Sequence, residues 1–370
     1  MKRQAVFVRI ALVHDYLNQY GGAERVLEAL HDIAPTAPIY TSIYAAEAMP
    51  SAYRTWDIRP SWMQYLPAWR RLFRHYFMLY PMAFGTFNLR DYDLVISSSS
   101  AYAKGVQVRS GAVHICYCHT PMRFVWQTDA YVARERIQGI TQRVMRFLLQ
   151  FLQRWDIQNS TGVTHFIANS QVVAARIKTY YGRDATIIPP PVDLAPINTQ
   201  APGDYLLTGG RLVPYKRIDL AIQACTALDL PLVVFGDGRD KAALMRIAGP
   251  SVRFVGRVSD AERQALFNGC RAFLFPGEED FGITPLEAMA AGRPVVAYRA
   301  GGALDTVNAG QTGIFFDQQT PEALMSALHE LANHHWDTHI IRTHAESFGR
   351  DRFMQRIRDF MATVTCEVTP

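Results

Sequence analysis

The chain reads as an α/β protein of two domains, each a parallel sheet covered by helices on both faces. Three observations predict this. Short apolar runs alternate with longer stretches of helical spacing from Ile10 onward, the pattern of parallel sheets buried on both sides. Pro189-Pro190-Pro191 and then Ala195 to Gly203, rich in Pro and Asn, interrupt that alternation as a linker. The charge divides there too: 21 Lys and Arg against 13 Asp and Glu up to Asn198, a balance of +8, and 17 against 20 beyond it, −3. The expected domains are 1–198 and 199–347, followed by a last helix at about Phe348 to Met361.

With 370 residues, 49% hydrophobic and 19% charged, the chain can bury two cores and is not disordered. The basic first half is expected to face an anionic partner. Nucleic acid is set aside, because no nucleic-acid motif accompanies the charge. Five cysteines, odd in number and without zinc pairing, read as reduced cytosolic thiols. Lys2 and Arg3 before apolar residues mimic a signal peptide. Arg9 interrupts that run, however, and no small-residue cleavage site follows. Nowhere do about 18 apolar residues run uninterrupted, so no membrane-spanning helix is expected.

Ile10 to Val13 is a buried strand, followed by His14-Asp15-Tyr16-Leu17, Gly21-Gly22, and a helix from Ala23 to His31 with Val26, Leu27 and Leu30 on one face. Strand, diglycine, helix lets backbone amides approach an anion, although a diglycine is more often a plain turn. Ala52 to Phe84 mixes Trp56, Trp62, Trp69 and seven Tyr or Phe with Arg54, Arg59, Arg70, Arg71 and Arg74. That composition suits an anionic bilayer interface; the other reading has the aromatics inward and the arginines solvated. Asp93 to Ile96 is a strand, with Ser97 to Ser100 read as the loop at its carboxyl end. Val113 to Cys118 is the next. His114, Cys116 and Cys118 share one face of it, but same-face neighbours lie roughly 6–7 Å apart, too far for zinc bonds of about 2.3 Å. Small buried strand residues is the better account. His119 falls where this strand ends, the place where open α/β sheets bind ligands, though a lone histidine is commonly structural. Tyr131 to Trp155, with Arg134, Arg136, Arg143, Arg146 and Arg154, is a basic amphipathic helix or pair, either extending a membrane face or simply solvated. Phe166 to Asn169 is a strand, and Ser170 caps the helix from Gln171 to Tyr181.

After the linker, Tyr205 to Thr208 opens a second sheet and leads into Gly209-Gly210-Arg211 and Lys216. Arginine and lysine on a strand-end loop are natural pyrophosphate ligands; alone they make any basic loop. Leu232 to Phe235 ends in Gly236-Asp237-Gly238, and Val252 to Val255 in Gly256-Arg257-Val258. Ala272 to Pro276 leads into Glu278-Glu279-Asp280-Phe281-Gly282-Ile283-Thr284-Pro285-Leu286-Glu287. Thr284 reads as an N-cap, Pro285 as the first helical residue and Glu287 as the third, a capping box. Gly292 ends that helix and Pro294 blocks its continuation. An acidic, glycine-containing loop entering a helix N-terminus attracts phosphate. On the residues alone, a solvated acidic loop with Glu287 as a cap is an equally good reading. Pro294 to Ala297 and a turn at Gly301-Gly302 complete the sheet, and no repeat of short period is visible.

Glu279 and Glu287, with seven residues between them in this strand-loop-helix setting, resemble the retaining, nucleotide-sugar-dependent glycosyltransferases of family 4. The runs Gly21 to Val26, Tyr92 to Ser99 and His114 to Arg123 resemble a bacterial mannosyltransferase subgroup that builds surface polysaccharides, over most of the first half. The resemblance implies the GT-B fold: two Rossmann-like domains facing a cleft, with the C-terminal helix (about 348–370) crossing back to the first. It also implies that Glu279 and His119 lie beside the donor sugar, and that Arg211 and Lys216 neutralise the leaving diphosphate. Gly21 and Gly22 would meet the donor phosphates, and the backbone of Phe281, Gly282, Ile283 and Thr284 the sugar and pyrophosphate. Glu287 would bond the ribose, and the base would lie against the loop at Val258. No metal and no cofactor beyond the donor are expected. The implied activity moves a hexose, mannose from GDP-mannose, to a lipid-linked oligosaccharide on the cytoplasmic face of the membrane, with the first domain peripheral on the anionic surface. A sugar-nucleotide epimerase of the same architecture and a non-catalytic sugar-nucleotide-binding protein are the alternatives. Product analysis without acceptor separates the first, and donor turnover the second.

Overall fold

Seven parallel strands form the first sheet: β1 Ile10–His14, β2 Ile39–Thr41, β3 Ile58–Pro60, β4 Leu94–Ser99, β5 Val113–Cys118, β6 His165–Ala168 and β7 Ala185–Ile187. Their spatial order is β3-β2-β1-β4-β5-β6-β7. Six more form the second: β8 Leu206–Arg211, β9 Leu232–Asp237, β10 Val252–Gly256, β11 Ala272–Phe275, β12 Val295–Tyr298 and β13 Gly313–Phe316, in the order β10-β9-β8-β11-β12-β13. The computed structural model describes residues 8–128, 139–194 and 202–366. It divides into two units, Met1–Pro189 with Phe353–Pro370, and Pro190–Arg352. The boundary falls within the triproline rather than at 198. Lys2 and Arg3, the linker residues 195–201, and Tyr131, Arg134 and Arg136 of the expected basic helix lie outside the described residues.

Alternation along the strands builds two cores per sheet. In the first unit Leu12, Leu94, Ile96 and Ile115 pack with Leu27 and Leu30 of the Gly22–Ile33 helix. Ala11, Val13 and Val95 face the other way, toward Tyr80, Phe84, Tyr102, Leu149 and Leu152. The last helix, Arg350–Cys366, contributes Phe353, Ile357 and Val364 to the first of these clusters. The Phe353 ring meets Tyr117 edge-on at 5.8 Å.

Several strands run further than their apolar residues suggest. Ser97 to Ser99 belong to β4 and not to a loop, because Ser98 pairs in register with His14 on one side and Tyr117 on the other. Gly209 to Arg211 likewise extend β8. The 52–84 segment is broken into short turns, β3 and the helices Trp69–Leu72 and Tyr80–Gly85. Tyr53, Trp69, Tyr80 and Phe84 are buried, Trp56 stacks on His31, and Tyr65 stays outside at 86% exposure. Among the described residues no helix is long and apolar enough to cross a membrane.

Candidate active site

Each sheet reverses its strand order once, between β1 and β4 and between β8 and β11. Ligands of open α/β sheets bind outside the strand carboxyl ends at such a reversal. In the second unit Arg211 is the last residue of β8, Lys216 ends the turn Pro214–Lys216, and Glu279 follows β11. The Lys216 ammonium donates to Glu279 Oε1 at 2.6 Å, the two side chains being 11% and 21% exposed. Arg211 donates instead to the Tyr215 hydroxyl at 3.0 Å. Glycine makes this crowding possible: Gly236 has φ +105, and a Cβ there would run into the Gly210 carbonyl.

The helix after the acidic loop starts at Ile283, earlier than expected, and the Thr284–Glu287 capping box does not form. Its N-cap is Gly282 at φ +85, which offers no side chain. The packing upstream sets that start. The Phe281 ring is buried beside Phe348 at 6.0 Å, and the Gly302 amide donates to the Glu279 carbonyl at 2.9 Å. The chain therefore turns at the glycine. Glu287 becomes the fifth helical residue, nearly buried, and its carboxylate meets Arg263 at 3.2 Å. The amides of Ile283 and Thr284 have no intrahelical acceptor, so this end can still hold an anion. At the other end the Gly292 amide bonds the Met289 carbonyl and that of Arg293 the Ala288 carbonyl, a Schellman close. Phe281 has only backbone to offer a ligand, and Val258 packs against the same core. A capping box does form at Ser259 with Glu262, next to Val258.

In the first unit Gly21 is the N-cap of the Gly22–Ile33 helix. Its second residue after Gly22, Glu24, is buried, with Oε1 3.5 Å from His14 Nε2. His14 Nδ1 lies 3.1 Å from Ser98 Oγ, which lies 2.7 Å from His119 Nε2. The first turn of the Gly22–Ile33 helix and His119 are thereby linked, through Glu24, at the carboxyl ends of β1, β4 and β5. Burial first, and then His14, holds the half-buried His119 imidazole down at about 3, so it is neutral near pH 7. Asp15, also buried, accepts the amides of Ser100, Ala101, Tyr102 and Ala103 at 2.5, 3.0, 2.8 and 2.7 Å, and ties β1 to the loop after β4. His114 is buried against Ser97 at 2.9 Å, and Cys116 and Cys118 are buried free thiols. Among the described residues no three or more His, Cys, Asp or Glu are grouped to hold a metal ion.

His14, Glu24, Ser98, Tyr215 and Arg263 are site residues that sequence reasoning missed. His14 and Ser98 are 84 residues apart, and only the parallel register joins them. The available signal was their position, a polar residue at the end of an apolar strand in each case.

Residues 20–196 match the model of Glycosyltransferase Family 4, and residues 195–347 that of Glycosyl transferases group 1. Over 119 residues the chain is 37% identical to a GDP-mannose-dependent alpha-mannosyltransferase of Mycolicibacterium smegmatis, covering 32% of this chain and 32% of that one. Over 138 residues it is 30% identical to O-antigen chain mannosyltransferase C of Escherichia coli, covering 35% and 37%. The chain thus spans about a third of the length of these curated relatives. Anabaena HepE, solved in complex with UDP, superposes with a TM-score of 0.68 at 18% identity, covering 96% of this chain and 100% of that one. With its two parallel sheets, the chain is a GT-B protein made of a Glycosyltransferase Family 4 domain followed by a Glycosyl transferases group 1 domain.

Proposed function

We propose that the protein is a retaining glycosyltransferase that moves mannose from GDP-mannose onto a lipid-linked oligosaccharide. The observation that carries this reading is the gathering of Lys216, Glu279 and the Ile283–Ala290 helix N-terminus at the strand-order reversal of the second sheet, with Arg211 ending β8. Cations and free amides there would stabilise charge developing on the departing diphosphate. Glu279 would hold the donor sugar in the second unit, and in the first unit His119 would meet a sugar hydroxyl. The bond from the sugar's anomeric carbon to phosphate oxygen breaks, the bond to the acceptor oxygen forms, and the acceptor proton passes to the leaving phosphate. The mannosyltransferase relatives support the donor assignment.

Two features support a lipid-linked acceptor and a peripheral place on the inner face of the cytoplasmic membrane. A cavity of about 300 Å³ at the carboxyl ends of β1 and β4 is lined by Tyr16, Phe73, Phe77, Tyr102 and Phe124, with Arg74 among them. It suits a molecule that is both apolar and anionic. On the Gly139–Ser160 helix, Ile140, Val144, Phe147 and Phe151 are exposed at helical spacing, beside exposed Arg143. Such a face fits a bilayer interface with anionic lipid.

The test is a screen of nucleotide sugars for stabilisation, followed by turnover with a lipid-linked acceptor. A donor at a hundred times its Kd adds about 2.7 kcal/mol, a rise of several degrees in Tm. If GDP-mannose neither stabilises the protein nor is consumed, the donor assignment is wrong. Vesicles of anionic lipid should bind the protein less in high salt without losing it entirely, since burial persists when charge is screened. Absence of binding at low salt would remove the membrane from the reading.

A further inference from the structure

Glu24, His14, Ser98 and His119 form one continuous polar chain across three parallel strands and a helix. The first three side chains are buried, with the Ser98 residue at 0% and the other two at 3% exposure. The contacts are 3.5, 3.1 and 2.7 Å in that order. Hydroxyl and imidazole groups can each donate or accept, so such a chain has two possible directions. Its buried end chooses between them. A carboxylate only accepts, so the Glu24 oxygen 3.5 Å away favours the His14 proton on Nε2. His14 Nδ1 is then an acceptor and takes the Ser98 hydroxyl proton. Ser98 Oγ in turn accepts, and among the described residues the donor facing it from the far side is Nε2–H of His119.

We propose that Glu24, His14 and Ser98 are positioning residues that hold His119 as its Nε2–H tautomer and leave Nδ1 as an acceptor for a hydroxyl of the bound sugar. Which imidazole nitrogen carries the proton is set by the bond that the other nitrogen's surroundings impose. Here three residues from distant parts of the chain impose it. Among the described residues His119 Nδ1 has no hydrogen-bond partner. Burial keeps the ring neutral, so the choice of tautomer decides whether it offers a lone pair or a proton. Only the assignment of the partner as a sugar hydroxyl rests on the function proposed above.

The full chain, labelled with ¹⁵N histidine, tests this without a ligand. Side-chain nitrogen shifts distinguish the two tautomers, and His119→Gln identifies the resonance. The expected wild-type spectrum has His119 protonated on Nε2; protonation on Nδ1 overturns the proposal. Ser98→Ala should convert His119 to a mixture of tautomers, and an unchanged His119 spectrum in that variant also overturns it. In turnover with GDP-mannose, Ser98→Ala should raise KM about tenfold, and Ser98→Thr, which keeps the hydroxyl, should restore the tautomer and most of the affinity. If wild type does not turn over GDP-mannose, the donor reading fails, while the nitrogen spectrum still decides the relay.

Discussion

Replacing Lys216 by Met, Glu279 by Gln, and both together separates what this pair does for the fold from what it does for a ligand. At 2.6 Å and an effective dielectric constant of about 20, the gross attraction is about 6 kcal/mol. Desolvating two largely covered charged ends cancels much of it, which leaves a coupling of about 1–3 kcal/mol. Lys216→Met strands the Glu279 carboxylate and should lower the second unit's Tm by several degrees, at about 2–4 °C per kcal/mol for a domain of this size. In the double variant no charge is stranded, so most of that stability should return. Activity should not return with it. Loss of a cation from the diphosphate site costs about 2.7–4 kcal/mol in the transition state, a hundredfold to a thousandfold in kcat. Calorimetry of the four proteins and donor turnover under saturation supply both readings. Wild-type kcat in Lys216→Met refutes the diphosphate role. A double variant as unstable as the sum of the singles refutes the coupling.

Three further outcomes are expected. His114 is fully buried and burial holds it down at about 4, so the unfolded chain takes up its proton first as pH falls below 6.5. Its contribution is complete above that pH and shrinks by about 3 kcal/mol on approach to pH 4; urea titrations of wild type and His114→Gln should converge by that amount if the sign is right. Phe353→Ala, at a site 2% exposed, should destabilise the first unit by about 3–5 kcal/mol, seen as a lower urea midpoint. Glu287→Gln should leave the helix content unchanged, because no capping bond is lost. It should raise the donor KM roughly tenfold, the scale of one hydrogen bond to a charged group, and an unchanged KM makes Glu287 purely structural.

Much of the fold was legible because apolar runs and helical spacing are local properties. The 113–118 strand and the Ser170 cap with its Gln171–Tyr181 helix stand where the residues put them. The strand ends were not legible, since serine and glycine carry little strand preference and Ser97 to Ser99 are held extended by their neighbours' register. Thr284-Pro285-Leu286-Glu287 fits a capping box by composition, yet Phe281 and Gly302 anchor the chain upstream and start the helix at Ile283. For the aromatic segment, composition carries no direction. The burial of Tyr53 and Trp69 is decided by a core assembled from residues far away in the chain. At the candidate site the Lys216–Glu279 contact joins two residues already singled out. The relay behind His119 needed the order of strands, which no local pattern contains.

The four amides that converge on Asp15 also affect how fast this end of the sheet can take up a partner. Holding one residue in a single backbone conformation removes about 1–2 kcal/mol of entropy, roughly 4–8 kcal/mol over Ser100 to Ala103. That freedom is given up once, when the chain folds, and not again at every encounter. Capture at the ends of β1 and β4 therefore waits on diffusion and the shedding of water. A hydrogen-bonded loop already in place adds no search of its own to the association rate.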